Sequence, residues 1–578
     1  MSIKVFPEQN KFMAGEVSPL IYGRTEIEAR KAGVKVMENF ISRPQGPAWR
    51  RPGFKFLDTV GGTVSKIFSF VVDSTTSYWI IFTDTAPKLY VVVINGTDVT
   101  TIVPTYGEAY YSDCPYTAAE IPLLQAELTP EGTELYIACR TKRPCHIVFS
   151  TGPAFEFDGI PFTGTYTAAG LVTDWTTSDA PGSVTFFQGR SYWGGSISYP
   201  ERVWASDAGS TPPYSVFTTP AATATSSIDI THTKNGIIQW LAGLTKLLIG
   251  TEFHEVILTG DDNLVANTTN PRFEIQSAYG SDYIQATAVG DKIIYVSADG
   301  RKIRDMDYEW TKDRWISRDI LFVSEHLTEG TRVSELVFAQ NPYNLLLVKL
   351  QNGELLIATY ERGNDIIGWG RHPITGAVSS IGVLSYLGES RIGILFDRDV
   401  IADTLHFENL IDPGQLDSYA IVTHSPAANT ITGLVHLANQ TVGVKADGII
   451  HPDITLDASG DGVITFDAES IEVGFNYIAK LTPLPFVNDI QNGTTRSFTK
   501  KWNKAYVQIV NSYFPKINGI RPGTESGIVV GVSLSQGDYD VPVQNLGWSL
   551  EGLIEIEQDL PLQTIITAIY GDMTIDII

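Results

Sequence analysis

The residues of this chain that could do chemistry are a histidine beside a glutamate, a few paired carboxylates, one Asp/Gly-rich loop and a pair of arginines. His254-Glu255 offers two groups of a zinc-protease helix, but Val256 follows and residues 253–258 read as an apolar strand, which makes a zinc site improbable. Asp261-Asp262, and Asp305 with Asp307, are carboxylate pairs of the kind that cleave glycosides as acid and base if they stand roughly 5 Å apart, a distance that sequence spacing does not fix. Asp457-Ala458-Ser459-Gly460-Asp461-Gly462 has the opening of a calcium loop, yet its closing Glu469 falls one place late and no helix flanks it, so a β-turn is expected. Arg50-Arg51 could bind an anion; an arginine pair in a loop is otherwise solvated or meets carboxylates of a neighbouring subunit. Cys114, Cys139 and Cys145 have no metal spacing and are too few for a disulfide framework, which points to buried free thiols made in a reducing compartment. The chain has no phosphate-binding Gly-x-x-x-x-Gly-Lys-Ser/Thr, no His-Glu-x-x-His, no Cys-x-x-Cys and no Gly-x-Ser-x-Gly. No catalytic, cofactor-binding or metal residue is therefore assigned, and an enzyme is not expected. The 11 Trp and 25 Tyr could line a glycan site, although aromatic strands usually form core.

The elements that would position such residues are short strands. Ser183-Val184-Thr185-Phe186-Phe187, Arg190-Ser191-Tyr192-Trp193, Arg202-Val203-Trp204-Ala205 and Ser215-Val216-Phe217 make one module of three or four strands, punctuated by Gln188-Gly189 and Gly194-Gly195. Such a sheet cannot bury both faces alone and needs neighbours of its own kind. The pattern recurs: second strands at residues 132–138, 244–250, 290–296 and 342–348, third strands at 253–258, 301–306 and 353–358. First strands begin near Lys66, Leu124, Ser183, Gly236, Tyr283, Val333 and Val378, at spacings of 58, 59, 53, 47, 50 and 45 residues. Such a period, with up to four strands in each, predicts an all-β chain with a β-propeller-like core of about six or seven blades, the alternative being a run of hairpins in another large all-β fold.

Length and composition set the outer frame. At 578 residues and 43% apolar content, the chain is too long for one simple core and is expected to form several units. The expected division is an N-terminal arm or clasp at 1–62, the propeller at 63–397, an inserted small β domain at 398–485 and a β-rich C-terminal region at 486–578 whose late strands could close the propeller. Within the arm, Thr25-Glu26-Ile27-Glu28 has the form of a capping box and predicts one helix over about 25–38, with Gly33 against it. Residues 1–10 carry no apolar signal core, and no run approaches the length of a membrane span.

Phe12-Met13-Ala14-Gly15-Glu16-Val17-Ser18-Pro19, Tyr22-Gly23-Arg24, Glu38-Asn39-Phe40 and Arg50-Arg51-Pro52-Gly53 resemble the opening of the tail tubular protein B, or nozzle, family of short-tailed bacteriophages. The likeness continues through Pro115-Tyr116-Thr117, Glu120-Ile121-Pro122, Phe186-Phe187-Gln188-Gly189-Arg190, Pro200, Val203-Trp204-Ala205-Ser206, Ile249-Gly250-Thr251 and Gly368-Trp369-Gly370-Arg371-His372, in the family's order over nearly the whole chain. The resemblance implies a structural virion protein of the tail, assembled in the bacterial host cytoplasm. It implies a homo-oligomeric ring, a homohexamer, at the distal end of the tail, with an adaptor ring above, tail fibres or tip proteins as partners, and double-stranded DNA passing through without sequence-specific binding. No cofactor is implied. The other class of function left open is a glycan-binding or glycan-cleaving propeller acting in receptor binding. Charge bears on the first: 41 basic against 65 acidic side chains give −24, spread along the chain, which argues against a surface that grips phosphates.

Overall fold

The computed structural model of the chain describes residues 2–576 apart from 96–97, 108, 151, 153, 164–174, 176–178, 209–213, 218–227, 232–235, 260–271, 411–413, 488, 491–492 and 523–535. Seven antiparallel sheets follow one another around a ring, each meandering outward from the strand that begins it. The first strands of the blades are Ser65–Val71, Gln125–Leu128, Ser183–Phe187, Ile238–Gly243, Thr287–Val289, Val333–Ala339 and Ala377–Tyr386. The protein is an all-β, seven-bladed propeller. Seven apolar clusters fill the spaces between neighbouring blades, including one between the seventh and the first built on Ile67, Trp79, Leu395 and Phe407. Each blade thus buries its two faces against its two neighbours, as a short alternating sheet must.

The ring is closed from the other end of the chain than expected. Blade seven takes Glu389–Asp397 and Thr404–Leu410 as its second and third strands, so the propeller runs past residue 397, and its outermost strand is Phe54–Gly61. That strand pairs antiparallel with Thr404–Leu410, from Thr404 opposite Gly61 to Leu410 opposite Phe54. The late strands close nothing; they build a second domain with the N-terminal segment. One of its sheets runs Gly537–Pro542, Thr499–Ser512, Ile565–Asp576, Ala48–Arg50, Phe40–Ser42, with Ser2–Val5 and Glu8–Gln9 also on Ile565–Asp576. The other is an outward continuation of blade six: beyond Ile366–His372 lie Gly15–Glu16, Gly33–Glu38, Ala479–Pro483, Ile556–Gln558 and Lys516–Ile517. Phe12, Val34, Met37, Phe40, Leu481, Val507, Ile556 and Ile575 are among the fully buried residues that hold these two sheets together.

Residues 11–53 are accordingly woven into the protein's own sheets. The helix expected over 25–38 shrinks to the single turn Glu28–Lys31, and Gly33–Glu38 is a strand. The alternation of Val34, Lys35, Val36 and Met37 suits a strand, and Gly33 lies where a Cβ would meet Val17 Cγ1 at 2.5 Å, so pairing outweighs the capping box. The third unit is also a continuation of a blade. The long strand Asp417–Ile431 joins the free edge of Phe54–Gly61 in parallel at Tyr419 and Lys55, then carries Gly462–Phe475, Thr441–Ala446 and Ile449–Thr455. Its separate core includes Ile431, Leu437, Val444 and Val473. The small β unit therefore starts at Asp417, after blade seven is complete, and Ala479–Pro483 already belongs to the second domain. No helix among the described residues is long and apolar enough to cross a membrane.

Candidate functional site

Two regions gather polar side chains in depth: the propeller axis and the seam where blades six and seven pass into the appended domains. The first strands of the blades surround the axis, and their side chains span it. Gln285, just before blade five, accepts from the Ala126 N–H at 3.1 Å and donates to the Ala126 carbonyl at 2.7 Å, which joins it to blade two across the axis. Gln125 Nε2 donates to the Gln239 carbonyl of blade four at 2.8 Å. The Arg140 guanidinium stacks 3.7 Å from the Tyr283 ring centre and donates to Ile238 O, Gln239 Oε1 and Gly195 O. These contacts fill the axis between blades two, three, four and five.

The other half of the lumen is a cavity of about 320 Å³ lined by Lys66, Glu127, Gln285, Thr287, Glu335 and Val383, among others. Lys66 Nζ lies 2.7 Å from Glu335, whose carboxylate also accepts from Ser380 Oγ at 3.1 Å and the Ile381 N–H at 3.0 Å. Glu127 faces this cavity, so it keeps some accessible surface while the propeller surrounds it, and that burial pushes its carboxyl up to about 7. The lumen can therefore hold water. The cross-axis bonds leave no passage along it for anything as wide as a duplex. Replacing Gln285 by alanine strips the Ala126 N–H and C=O of their partner and is expected to cost about 1–2 kcal/mol. A shift in the urea midpoint is the measurement, and an unchanged midpoint would show that cavity water substitutes.

At the seam, Arg50 and Arg51 are fully buried. Arg51 Nη1 and Nη2 donate to Asp417 Oδ1 and Oδ2 at 2.7 and 2.6 Å, and Nε donates to Asn39 Oδ1 at 2.9 Å. Arg50 donates to Gln415 Oε1 at 2.7 Å and to the Tyr477 carbonyl at 2.9 Å, and both guanidiniums lie about 4 Å from the Tyr477 ring centre. Neither reading from the sequence holds for this pair: they face neither solvent, nor an anion, nor a neighbouring subunit, but the chain's own Asp417 and carbonyls. Gly53 ends the same motif where a Cβ would lie 1.9 Å from the Leu416 carbonyl oxygen, a close approach that only glycine allows. A second buried pair, Arg398 with Glu408, stands beside it, with Glu408 also accepting from the Ser418 N–H at 3.2 Å. Three buried histidines complete the seam region. His436 stacks on Phe56 with ring centres 3.7 Å apart, His406 meets Ser418 Oγ at 3.3 Å, and neither nitrogen of His372 has a partner among the described residues. Burial drives all three towards the neutral form, His406 to about 3 and His436 to about 4.

The other described residues singled out in the sequence are held in local networks. Asp305 accepts from Tyr360 Oη at 2.9 Å and pairs with Arg362 at 3.2 Å, while Asp307 lies 3.4 Å from Lys292; cations bind the pair in place. Glu255 accepts from Ser277 and Ser281 hydroxyls, so His254-Glu255 is a strand-end network. Asp457 Oδ1 accepts from the Ser459 and Asp461 N–H groups at 2.8 and 2.9 Å, which is the turn expected there. Cys114, Cys139 and Cys145 are buried free thiols in the cluster between blades one and two. Asp261-Asp262 lie outside the described residues, and among those described no three His, Cys, Asp or Glu converge to hold a metal ion. Nine of the 11 tryptophans are buried, leaving only Trp310 and Trp548 exposed. Sequence reasoning passed over Lys66, Glu127 and Glu335. The available signal was a charged residue inside a blade's first strand, the strand that faces the axis.

No family model and no curated protein matches this chain. Among solved structures, it is similar to the WD40 repeats of RRP9 (10% identity, TM-score 0.39, covering 63% of this chain and 100% of that one). It is also similar to the Neurospora crassa Pan2 WD40 domain (9%, TM-score 0.36, 63% and 97%) and the WD40 propeller of Doa1 (10%, TM-score 0.37, 62% and 98%). At these identities the likeness concerns the fold alone.

Proposed function

We propose that the chain is a structural subunit of a short-tailed phage tail, one of a ring of copies forming the nozzle through which DNA leaves. The observation that carries this reading is where the resembling stretches lie. Four of them pack on one another, three from residues 12–53 and one more than 300 residues further on: Gly15 pairs with Trp369, Glu16 binds Arg371, the Asn39 N–H donates to the Arg371 carbonyl, and Arg51 donates to Asn39. The resemblance thus falls on residues that together join blade six to the appended domain, which is what a shared architecture requires and what scattered coincidence does not. Because the propeller axis is spanned by side chains, the conduit in this reading lies between subunits. A net charge of −24 per chain favours a wall that lets duplex slide rather than hold it. The appended domain and the 417–475 unit, both outside the propeller, are the surfaces for the adaptor ring and for fibres or tip proteins.

Negative-stain microscopy of the purified protein, with light scattering for mass, tests the reading. Rings with a central hole and no retention of free duplex at physiological salt are expected. Monomers at high concentration that bind or cut host polysaccharide would replace it with the receptor-binding class.

A further inference from the structure

We propose that the cleft between blades six and seven is a docking pocket for a peptide segment of a partner protein, taking one large apolar side chain with carboxylates beside it. The cleft encloses about 370 Å³, lined by Ile41, Trp49, Pro342, Tyr343, Arg391 and Ile392 with residues of the two blades around them. Its mouth is fixed in advance, because the turns of the two blades bond to each other. The Asn341 N–H donates to Ser390 Oγ at 3.1 Å, the Ser390 N–H to the Asn341 carbonyl at 3.1 Å, and Asn341 Nδ2 to the Gly388 carbonyl at 3.2 Å. A preformed cleft loses less entropy when filled. Its aromatic wall is the edge-to-face pair Trp49 and Tyr343, ring centres 5.2 Å apart.

Charge selects the occupant. Arg43 lies 3.8 Å from both ring centres and forms no ion pair with any described residue. Among the described residues Arg391 pairs only with Glu389, at 3.6 Å, whose side chain is 64% exposed, and its buried Nε has no acceptor among them. Elsewhere in this acidic chain the deeply placed Arg51 and Arg398 each have a carboxylate on two guanidinium nitrogens, and Arg50 and Arg140, which lack one, donate to several carbonyl and amide oxygens instead. Two under-neutralised guanidiniums beside an apolar pocket match an anchor side chain with acidic neighbours, since aromatic anchors in pockets and charge-assisted bonds to arginine supply most of the energy of such contacts. Two cations exceed what one small aromatic acid needs, which favours a peptide. This inference stands independently of the nozzle reading.

The test uses the full chain and two fluorescent probes of similar body, the anionic 8-anilinonaphthalene-1-sulfonate and the neutral N-phenyl-1-naphthylamine. Arg391→Gln should weaken the anionic probe about tenfold and the neutral one less than twofold, and Tyr343→Ala should weaken both. The blocked peptide Ac-Glu-Trp-Glu-NH2 should displace the anionic probe, whereas Ac-Lys-Trp-Lys-NH2 should not. Should Arg391→Gln fail to fold, Arg43→Gln on the N-terminal loop carries the same expectation. Equal effects on both probes, or no effect, would overturn the proposal. Displacement by indole-3-acetate but not by the acidic peptide would overturn the peptide occupant and give the pocket to small aromatic acids.

Discussion

Asp417→Ala is expected to destabilise the protein by about 3–5 kcal/mol, because it leaves the Arg51 guanidinium charged, buried and without its carboxylate. The position is worse than for an isolated pair. Arg50 packs on the same Tyr477 ring and has only carbonyl and amide oxygens as partners, so removal of Asp417 leaves two like charges in one dry space. Asp417→Asn should cost nearly as much, since one amide face would present N–H groups to the guanidinium. The apolar double change Arg51→Met with Asp417→Leu should recover much of the loss, because it removes both desolvated charges together. Urea unfolding gives the magnitudes, and limited proteolysis should show the 417–475 unit released first. A single-variant cost below about 1 kcal/mol would mean that water reaches the pair and that the strand pairing alone holds the seam.

The second large expectation concerns acid. His372, His406 and His436 are held below the ordinary histidine pKa of about 6.5, first by burial, with the positive charge of Arg51 adding to the effect on His372 and that of Arg398 on His406. Between the unfolded value and the folded one, the unfolded chain binds more protons, so stability rises with pH across that window and is lost as the pH falls through it. For His406 and His436 the window runs from about 6.5 down to about 3 and 4, and each can change the folded-to-unfolded ratio by up to about tenfold per pH unit within it. Raised buried carboxyls such as Glu127 and Glu408 act in the opposite direction, so the informative comparison is between wild type and His406→Phe. The variant's stability relative to wild type should improve steadily from pH 7 to pH 4.5. Parallel profiles would show that His406 is neutral in both states or protonated in both.

The blades were legible because their signal is local. Ser183 and Val333 begin first strands at the positions read from the sequence, and Lys66, Leu124, Gly236 and Val378 lie within two residues of one. Tyr283 is four residues early, since Ser281 to Ala286 continue the loop from blade four. What the sequence hid are features whose two halves lie far apart. Blade seven looked truncated at Asp397 because its fourth strand is supplied by Phe54–Gly61, which no period can connect to it. The Arg50-Arg51 pair read as a surface loop because Asp417 and Gln415, which bury it, stand 366 and 365 positions away. Residues 25–38 read as one helix for the same reason, since the strand partner of Gly33–Glu38 is Ala479–Pro483 and only Glu28–Lys31 stays helical.

The closing strand also sets the order of events on the ribosome. Phe54–Gly61 leaves early, yet neither of its two edges can be paired until Thr404–Leu410 and then Asp417–Ile431 have emerged. For all that time it is a nascent β-edge with unsatisfied N–H and C=O groups, open to pairing with another chain on the same messenger. Synthesis pauses before codon 404 should raise the yield of intertwined or aggregated chains, and pauses late enough for residue 431 to have left the ribosomal tunnel should not.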